Sequence, residues 1–399
     1  MISEKMRPLV ENNSVIRIMF EEGNRLAAVY GRENVYDFSL GNPNVPAPQE
    51  VEDSIKEVLE EEESTFVHGY MSNSGYEDVR ATIAESLNRR FGTAFHQGNI
   101  LMTVGAASGL NIILKTLLNP EDEVIVFAPY FLEYNNYVRN YDGKIVIVSA
   151  NTVDFQPNLE EFATKITART KAVIINTPNN PSGVIYSDAT LKKLADILTA
   201  KEAEFGTKIV LLSDEPYREL AYDGAEVPYV TKYYANTVVC YSYSKSLSLP
   251  GERIGYLVIP DELDSSQEVF TAATIANRVM GSVNAPSLMQ RVIKKCIEKG
   301  AEVNLAAYDR NRNRLYEGLL SCGFSCIKPQ GAFYLFLKSP EPDDKAFCTK
   351  AQKYNLLMAP GSSFACPGYV RIAYCVSYEQ IERSMQAFEK LAAEYGLKA

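Results

Sequence analysis

The sequence predicts an α/β protein. It has a large domain over residues 49–285, with a mostly parallel mixed sheet flanked by helices, and a smaller α+β domain built from both chain ends, residues 1–48 and 286–399. Three observations predict this. Short runs that are apolar throughout alternate with longer amphipathic stretches in the middle of the chain. Those runs lack polar alternation, which marks strands buried on both faces, as in parallel sheets. The two ends break the alternation and give helices and hairpin-like runs instead.

Taken in order, residues 3–30 read as a helix leading into a proline-rich loop, Gly41-Asn-Pro-Asn-Val-Pro-Ala-Pro48. A helical pattern then runs from near Gln49 to the charge run Glu60 to Glu63, a solvated helix face. The strands expected are Ile100–Val104, Glu123–Ala128, Lys144–Ser149, Ala172–Asn176, Ile209–Ser213, Thr237–Tyr241 and Ile254–Ile259. Helix-like segments lie between them at Ser108–Leu118, Tyr130–Tyr141, Leu159–Ile166 and Ala189–Glu204. After about residue 285 come a long helical stretch, apolar runs at Ala332–Leu337 and Val370–Tyr374, and a closing helix from Tyr378.

A chain of 399 residues has room for one large domain and a smaller one. Its formal net charge of -10 argues against non-specific nucleic-acid binding, which needs a basic face. The seven cysteines, Cys240, Cys296, Cys322, Cys326, Cys348, Cys366 and Cys375, are odd in number and form no C-x-x-C pair. They read as reduced thiols of a cytoplasmic protein. Only His68 and His96 are present, little material for a metal site or a Ser/His/Asp triad. The N-terminus carries no apolar signal core, and no stretch of about 18 apolar residues predicts a membrane span.

In a parallel α/β sheet, ligands sit beyond the carboxyl ends of the strands, so the residues there carry the chemistry. Gly105-Ala106-Ala107-Ser108-Gly109 opens a helix, as either a tight turn or a cradle whose N–H groups meet an anion. Tyr130, after Pro129, either packs in the core or stacks on a flat heterocycle. Thr177-Pro-Asn-Asn-Pro-Ser-Gly183 is a rigid turn able to aim the Asn180 amide. Asp214 ends a very apolar strand, and a buried carboxylate demands a cationic or donor partner. A protonated ring nitrogen would serve. Ser242-Tyr-Ser-Lys245, followed after seven residues by Arg253, offers a lysine able to form a Schiff base and donors suited to a phosphate. An anion cradle, a flat ring, an amide, a carboxylate and a lysine together match a phosphorylated pyridine aldehyde.

In this order, Asn180-Pro-Ser-Gly183, Asp214-Glu-Pro-Tyr217 and Ser242-Tyr-Ser-Lys245 to Arg253 resemble the N-P-x-G, D-x-x-Y and S-x-S-K-x7-R pattern of class I/II aminotransferases. These belong to the aspartate aminotransferase superfamily, fold type I enzymes of pyridoxal 5'-phosphate (PLP), and the resemblance covers essentially the whole chain. It implies that Lys245 carries the Schiff base and then moves the proton, and that Asp214 keeps the pyridine nitrogen protonated so that the ring is an electron sink. It further implies that Tyr217 and Asn180 hydrogen-bond the ring's phenolic oxygen, and that Tyr130 stacks on the ring. The phosphate falls to the loop from Gly105 through the Ala106 and Ala107 N–H groups, and to Ser242, Ser244 and Arg253. Arg371, in Tyr369-Val-Arg-Ile-Ala, and the Gly41 N–H, in Leu40-Gly-Asn-Pro, fall where the family holds the substrate α-carboxylate; a bidentate arginine suits that anion. Tyr70, five residues before Gly75, resembles the tyrosine that reaches the neighbouring subunit's phosphate, which implies a homodimer with shared sites. The phosphate loop reads Gly-Ala-Ala-Ser-Gly rather than a Ser-Gly-Thr form, which leaves a contact from Ser108 open.

The preferred substrates are aspartate or glutamate with a 2-oxo acid. Arg278, in Ala276-Asn-Arg-Val, is the candidate reader of a distal carboxylate, with Arg17 as an alternative. Aromatic or alanine-type donors fit the same scaffold. So does a PLP-dependent C–S β-lyase of cystathionine type, since Lys245 and Asp214 serve both reactions. A PLP-sensing transcription regulator needs a basic helix-turn-helix segment upstream. Here the pattern starts within about the first 40 residues of an acidic chain.

Overall fold

The computed structural model describes residues 1–11 and 15–397. Among them, one seven-stranded sheet forms the framework. Its order is Ile100–Thr103, Gly255–Val258, Thr237–Ser242, Val210–Asp214, Thr170–Asn176, Glu123–Phe127 and Lys144–Val148. Gly255–Val258 runs antiparallel to its two neighbours, and the other pairings are parallel. All seven strands expected from the apolar runs are present. Their boundaries differ by one or two residues, as strand ends do when hydrogen bonding rather than composition defines them.

Alternation along each strand feeds two cores. Val124, Val126, Ile174, Leu212 and Val238 pack on one face with Leu110, Ile113 and Ala273 of helices Gly105–Leu117 and Ser266–Val279. Ile125, Phe127, Val173, Ile175 and Leu211 pack on the other with Phe162 of helix Leu159–Lys165 and Leu191, Leu194 and Leu198 of helix Asp188–Phe205. Both faces are covered, which is why the strand sequences are apolar throughout. The pairings Asn176↔Asp214, Asp214↔Cys240 and Ser242↔Gly255 bring the carboxyl ends of the central strands to one edge.

The chain ends meet each other. Tyr36–Asp37 pairs in parallel with Leu356–Leu357. Tyr334–Lys338 pairs antiparallel with Tyr369–Ala373 and with Ser325–Cys326, and Ala359–Pro360 extends the same sheet. Helix Tyr378–Glu394 buries Ile381, Phe388 and Leu391 in a core shared with Phe38, Leu315 and Phe347. The expected N-terminal helix comprises Arg7–Glu11 and Val15–Tyr30. All seven cysteines are free thiols. No helix among the described residues is long and apolar enough to cross a membrane.

Candidate active site

A cavity of about 300 Å³ opens over the carboxyl edge of the large sheet. Gly41, Ala106, Ala107, Asn180, Asp214, Tyr217, Ser242, Ser244, Lys245, Arg253 and Arg371 all line it. Residues spread over 331 positions of sequence therefore meet at one place.

Lys245 sits in the four-residue helix Tyr243–Ser246, directly after strand Thr237–Ser242. Its Nζ donates to the Gly41 carbonyl at 2.8 Å and lies 5.2 Å above the Phe333 ring. Burial, helped by the Arg371 and Arg253 charges and opposed by Cys375, pulls its pKa down to about 8. An amine so placed is about half deprotonated near pH 8, where an ordinary lysine is still almost wholly protonated, and so is available as a nucleophile there.

Asp214 ends the strand Val210–Asp214. Its Oδ2 accepts from the Tyr134 hydroxyl at 2.6 Å, whereas Oδ1 is buried without a hydrogen-bond partner. Burial pushes its carboxyl up to about 7; the Tyr134 bond works against that rise and Glu215 adds to it. A carboxylate held in this way pairs with a cation presented from the cavity.

At the opposite side, Arg371 Nη1 donates to Asn180 Oδ1 at 3.0 Å and Nη2 to the Ser39 carbonyl at 2.6 Å. Its Nε is buried and unpartnered, and the guanidinium stacks between Tyr334 and Phe364, 4.5 and 4.7 Å from their ring centres. The Tyr334 hydroxyl lies 3.1 Å from that of Tyr217. Gly41 is required here, because a Cβ on it would fall 1.9 Å from the Tyr334 hydroxyl.

Ala106 and Ala107 occupy the first turn of helix Gly105–Leu117, where unpaired N–H groups favour an anion. Gly105 has φ +78°, and a Cβ there would press against Arg253 Nη2 at 2.8 Å. Arg253 itself holds φ +51°, rare for a non-glycine residue, and donates to the Pro250 carbonyl at 2.9 Å. The Ser242 and Ser244 hydroxyls are 2.7 Å apart at the same end.

One sequence expectation is displaced. Tyr130 does not line the cavity: its N–H donates to the Phe364 carbonyl, its hydroxyl donates to Asn135, and its ring turns into the core beside Tyr134. That turn brings the next residue, Phe131, to the cavity wall instead. Tyr70 is 94% exposed and lies in a separate surface depression with His68 and Asn284. Tyr134, Tyr137, Asn176 and Tyr334 also line the cavity and were not singled out from sequence. Arg278 is exposed on helix Ser266–Val279, outside this cavity. The Arg17 side chain lies outside the described residues.

The sequence matches the family "Aminotransferase class I and II" over residues 33–388. This chain belongs to the class I and II aminotransferases. Aspartate aminotransferase of Thermotoga maritima is 30% identical over 362 residues, 90% of this chain and 91% of that protein. An aminotransferase from Eubacterium rectale, known from its crystal structure, is 50% identical with a TM-score of 0.96 over 99% of each chain. The structure of aspartate aminotransferase from Thermus thermophilus with maleate aligns at a TM-score of 0.86 and 25% identity, covering 98% of this chain and 99% of that one.

PLP is the cofactor of this aminotransferase family. The cavity fits it by its own chemistry: a buried carboxylate oxygen without a partner, a helix N-terminus beside two serine hydroxyls and an arginine, and a lysine of lowered pKa. A pH dependence follows. Lys245 must lose its proton to attack an aldehyde, so PLP uptake by the apoprotein is expected to speed up as pH rises through about 8 and then level off. Stopped-flow absorbance between pH 6 and about 10, the latter near lysine's ordinary range, measures this. A rate independent of pH through that window contradicts the lowered pKa.

Proposed function

We propose that this enzyme transfers the amino group of aspartate or glutamate to a 2-oxo acid in two half-reactions of ping-pong type. The observation that carries the reading is the convergence of Lys245, Asp214, Tyr217, Asn180 and Arg371 on one cavity. Bound PLP supplies the aldehyde that takes up the amino group and a ring that accepts electron density. The chain supplies the rest. Lys245 Nζ holds PLP between turnovers and carries the proton taken from the substrate Cα. Asp214 Oδ1 pairs with the ring nitrogen and keeps it protonated. Tyr217 and Asn180 hold the phenolic oxygen, and Phe131 is the ring positioned to stack. The Gly105–Ala107 turn, Ser242, Ser244 and Arg253 hold the phosphate. Arg371 grips the α-carboxylate, with the Gly41 N–H beside it.

In this reading the domain of residues 1–48 and 286–399 closes on the domain of residues 49–285. The exposed Tyr70 of one protomer completes the phosphate site of a second in a cytoplasmic homodimer. Preference for a dicarboxylate draws support from the Thermotoga relative's aspartate activity and from maleate in the Thermus structure. Arg253 and Arg371 are the arginines lining the cavity, and both have tasks already. The distal carboxylate is therefore assigned to Arg278 lent by the second protomer.

Incubating the PLP-loaded enzyme with aspartate and 2-oxoglutarate tests the function. Oxaloacetate and glutamate are expected in equal amounts. Ammonia and pyruvate from a cystathionine-type substrate without an oxo-acid acceptor would instead identify the C–S β-lyase. Phenylalanine or alanine outpacing aspartate would identify an aromatic or alanine-type donor. Arg278→Gln is expected to lower kcat/KM for aspartate by about 10–100-fold, the worth of one charge-assisted hydrogen bond, while sparing alanine. An equal loss with both substrates removes Arg278 from recognition.

A further inference from the structure

The helix Tyr243–Ser246 that carries Lys245 is a wall between two cavities. Ser244 and Lys245 face the active site, whereas Tyr243 and Ser246 line a second cavity of about 310 Å³, comparable in size to the first. The inner wall of this second cavity belongs to the protein core, with Tyr243, Ser246 and Cys296 6%, 5% and 1% exposed, and its mouth is formed by the exposed Arg90, Gly300 and Glu302. Ser246 Oγ is buried with no hydrogen-bond partner among the described residues. Ile297 and Val303 add apolar surface from helix Ser287–Lys299 and the loop that follows it.

Charge is confined to the lining residues Arg90, Glu219 and Glu302. Arg90 Nη2 donates to Glu219 Oε2 at 2.5 Å, and Glu219 Oε1 accepts from the Tyr241 hydroxyl at 3.0 Å. The Nε and Nη1 donors of Arg90 carry no hydrogen bond among the described residues, and its side chain remains 42% exposed. The site therefore combines a cation with free donors, the Glu219 carboxylate paired to it, a second carboxylate of Glu302 in the lining, an unpartnered hydroxyl and an apolar interior. A mostly apolar cavity with a few convergent polar groups is the usual form of a small-molecule site.

We propose that this cavity is a regulatory site for a zwitterionic amino acid with an apolar side chain. The ligand's carboxylate meets Arg90, its ammonium meets Glu219 and Glu302, and its side chain enters between Tyr243, Ile297 and Val303. A simple carboxylic acid satisfies only the arginine, and a simple amine only the glutamates, so recognition requires both charges. Occupancy bears on Tyr243 and Ser246, and hence on the four-residue helix that sets the position of Lys245. This makes the site a means for an amino acid to alter turnover without competing for Arg371.

The test is calorimetric titration of the PLP-loaded enzyme with L-leucine, alone and with excess maleate to occupy the active site. The binding heat is expected to persist with maleate. It is expected to vanish in Ala301→Trp, which puts an indole into the cavity, and to weaken at least tenfold in Arg90→Gln. 4-Methylpentanoate and isopentylamine, each lacking one charge, are expected to bind at least tenfold more weakly than leucine. Heat that disappears with maleate but survives Ala301→Trp places leucine in the active site and overturns the proposal, as does the absence of any heat. If Ala301→Trp fails to fold, Arg90→Gln decides between the same outcomes. Maleate giving no heat of its own counts against the dicarboxylate reading, and the two variants still decide the second site.

Discussion

Replacing Asp214 with asparagine is expected to lower kcat by about 10³-fold or more, the scale of removing one preorganised electrostatic group from a buried site. The carboxylate is the only group that Val210–Asp214 presents to the cavity as a charge, and its Oδ1 has no other partner. Asparagine keeps the shape and can still accept from Tyr134, but it cannot hold a ring nitrogen protonated. Stability should move the other way. With its carboxyl pushed up to about 7, the folded apoprotein binds a proton that the unfolded chain has released above the ordinary carboxylate range. This group's contribution therefore falls as pH rises from that range through about 7 and stays low above it. The Asp214→Asn apoprotein should accordingly melt higher than wild type at pH 8, and PLP should raise its melting temperature less. Thermal melts of the apo and loaded forms at pH 5 and 8 measure both effects. A variant that keeps wild-type kcat, or gains as much from PLP as wild type does, contradicts the pairing.

The second large effect is at Lys245. Lys245→Ala is expected to reduce kcat/KM with every amino donor by about 10⁴-fold or more, since one side chain serves as covalent anchor and proton carrier. PLP should still bind, because the phosphate cradle, Phe131 and Asp214 do not depend on the lysine. Equilibrium dialysis with PLP alongside single-turnover rates separates the two losses. A variant with near-normal turnover would leave the lysine a structural role only.

Much of this was legible in the sequence for a physical reason. Strands buried on both faces must be apolar throughout, so the seven runs stood out, and the residue after each of the six runs that are parallel to one another lies at the sheet's carboxyl edge. That rule locates Asp214, Asn180, the Ser242 to Lys245 turn and the Gly105 loop from the sequence. It failed at Tyr130, because the direction of a side chain just past a strand depends on a distant hydrogen bond, here to the Phe364 carbonyl. Tyr334 was hidden for a related reason. Inside the run Ala332–Leu337 it looks like one more core aromatic, and only the pairing of Phe336 with Arg371 brings its strand beside the guanidinium. Tyr134 sits in a segment read as helix, with nothing local to link it to a carboxylate 80 residues away. The second cavity has no sequence signature, since it is assembled from helices, the end of a strand and loops that meet only in the fold.

The most direct test of the central claim is to load the protein with PLP, reduce it with borohydride, and map the modified peptide by mass spectrometry. Reduction fixes the cofactor to whichever lysine holds it. The account predicts one pyridoxyl phosphate per chain, on Lys245, with no labelling in Lys245→Ala. Labelling on another lysine, or none on a protein that has taken up PLP, would contradict it.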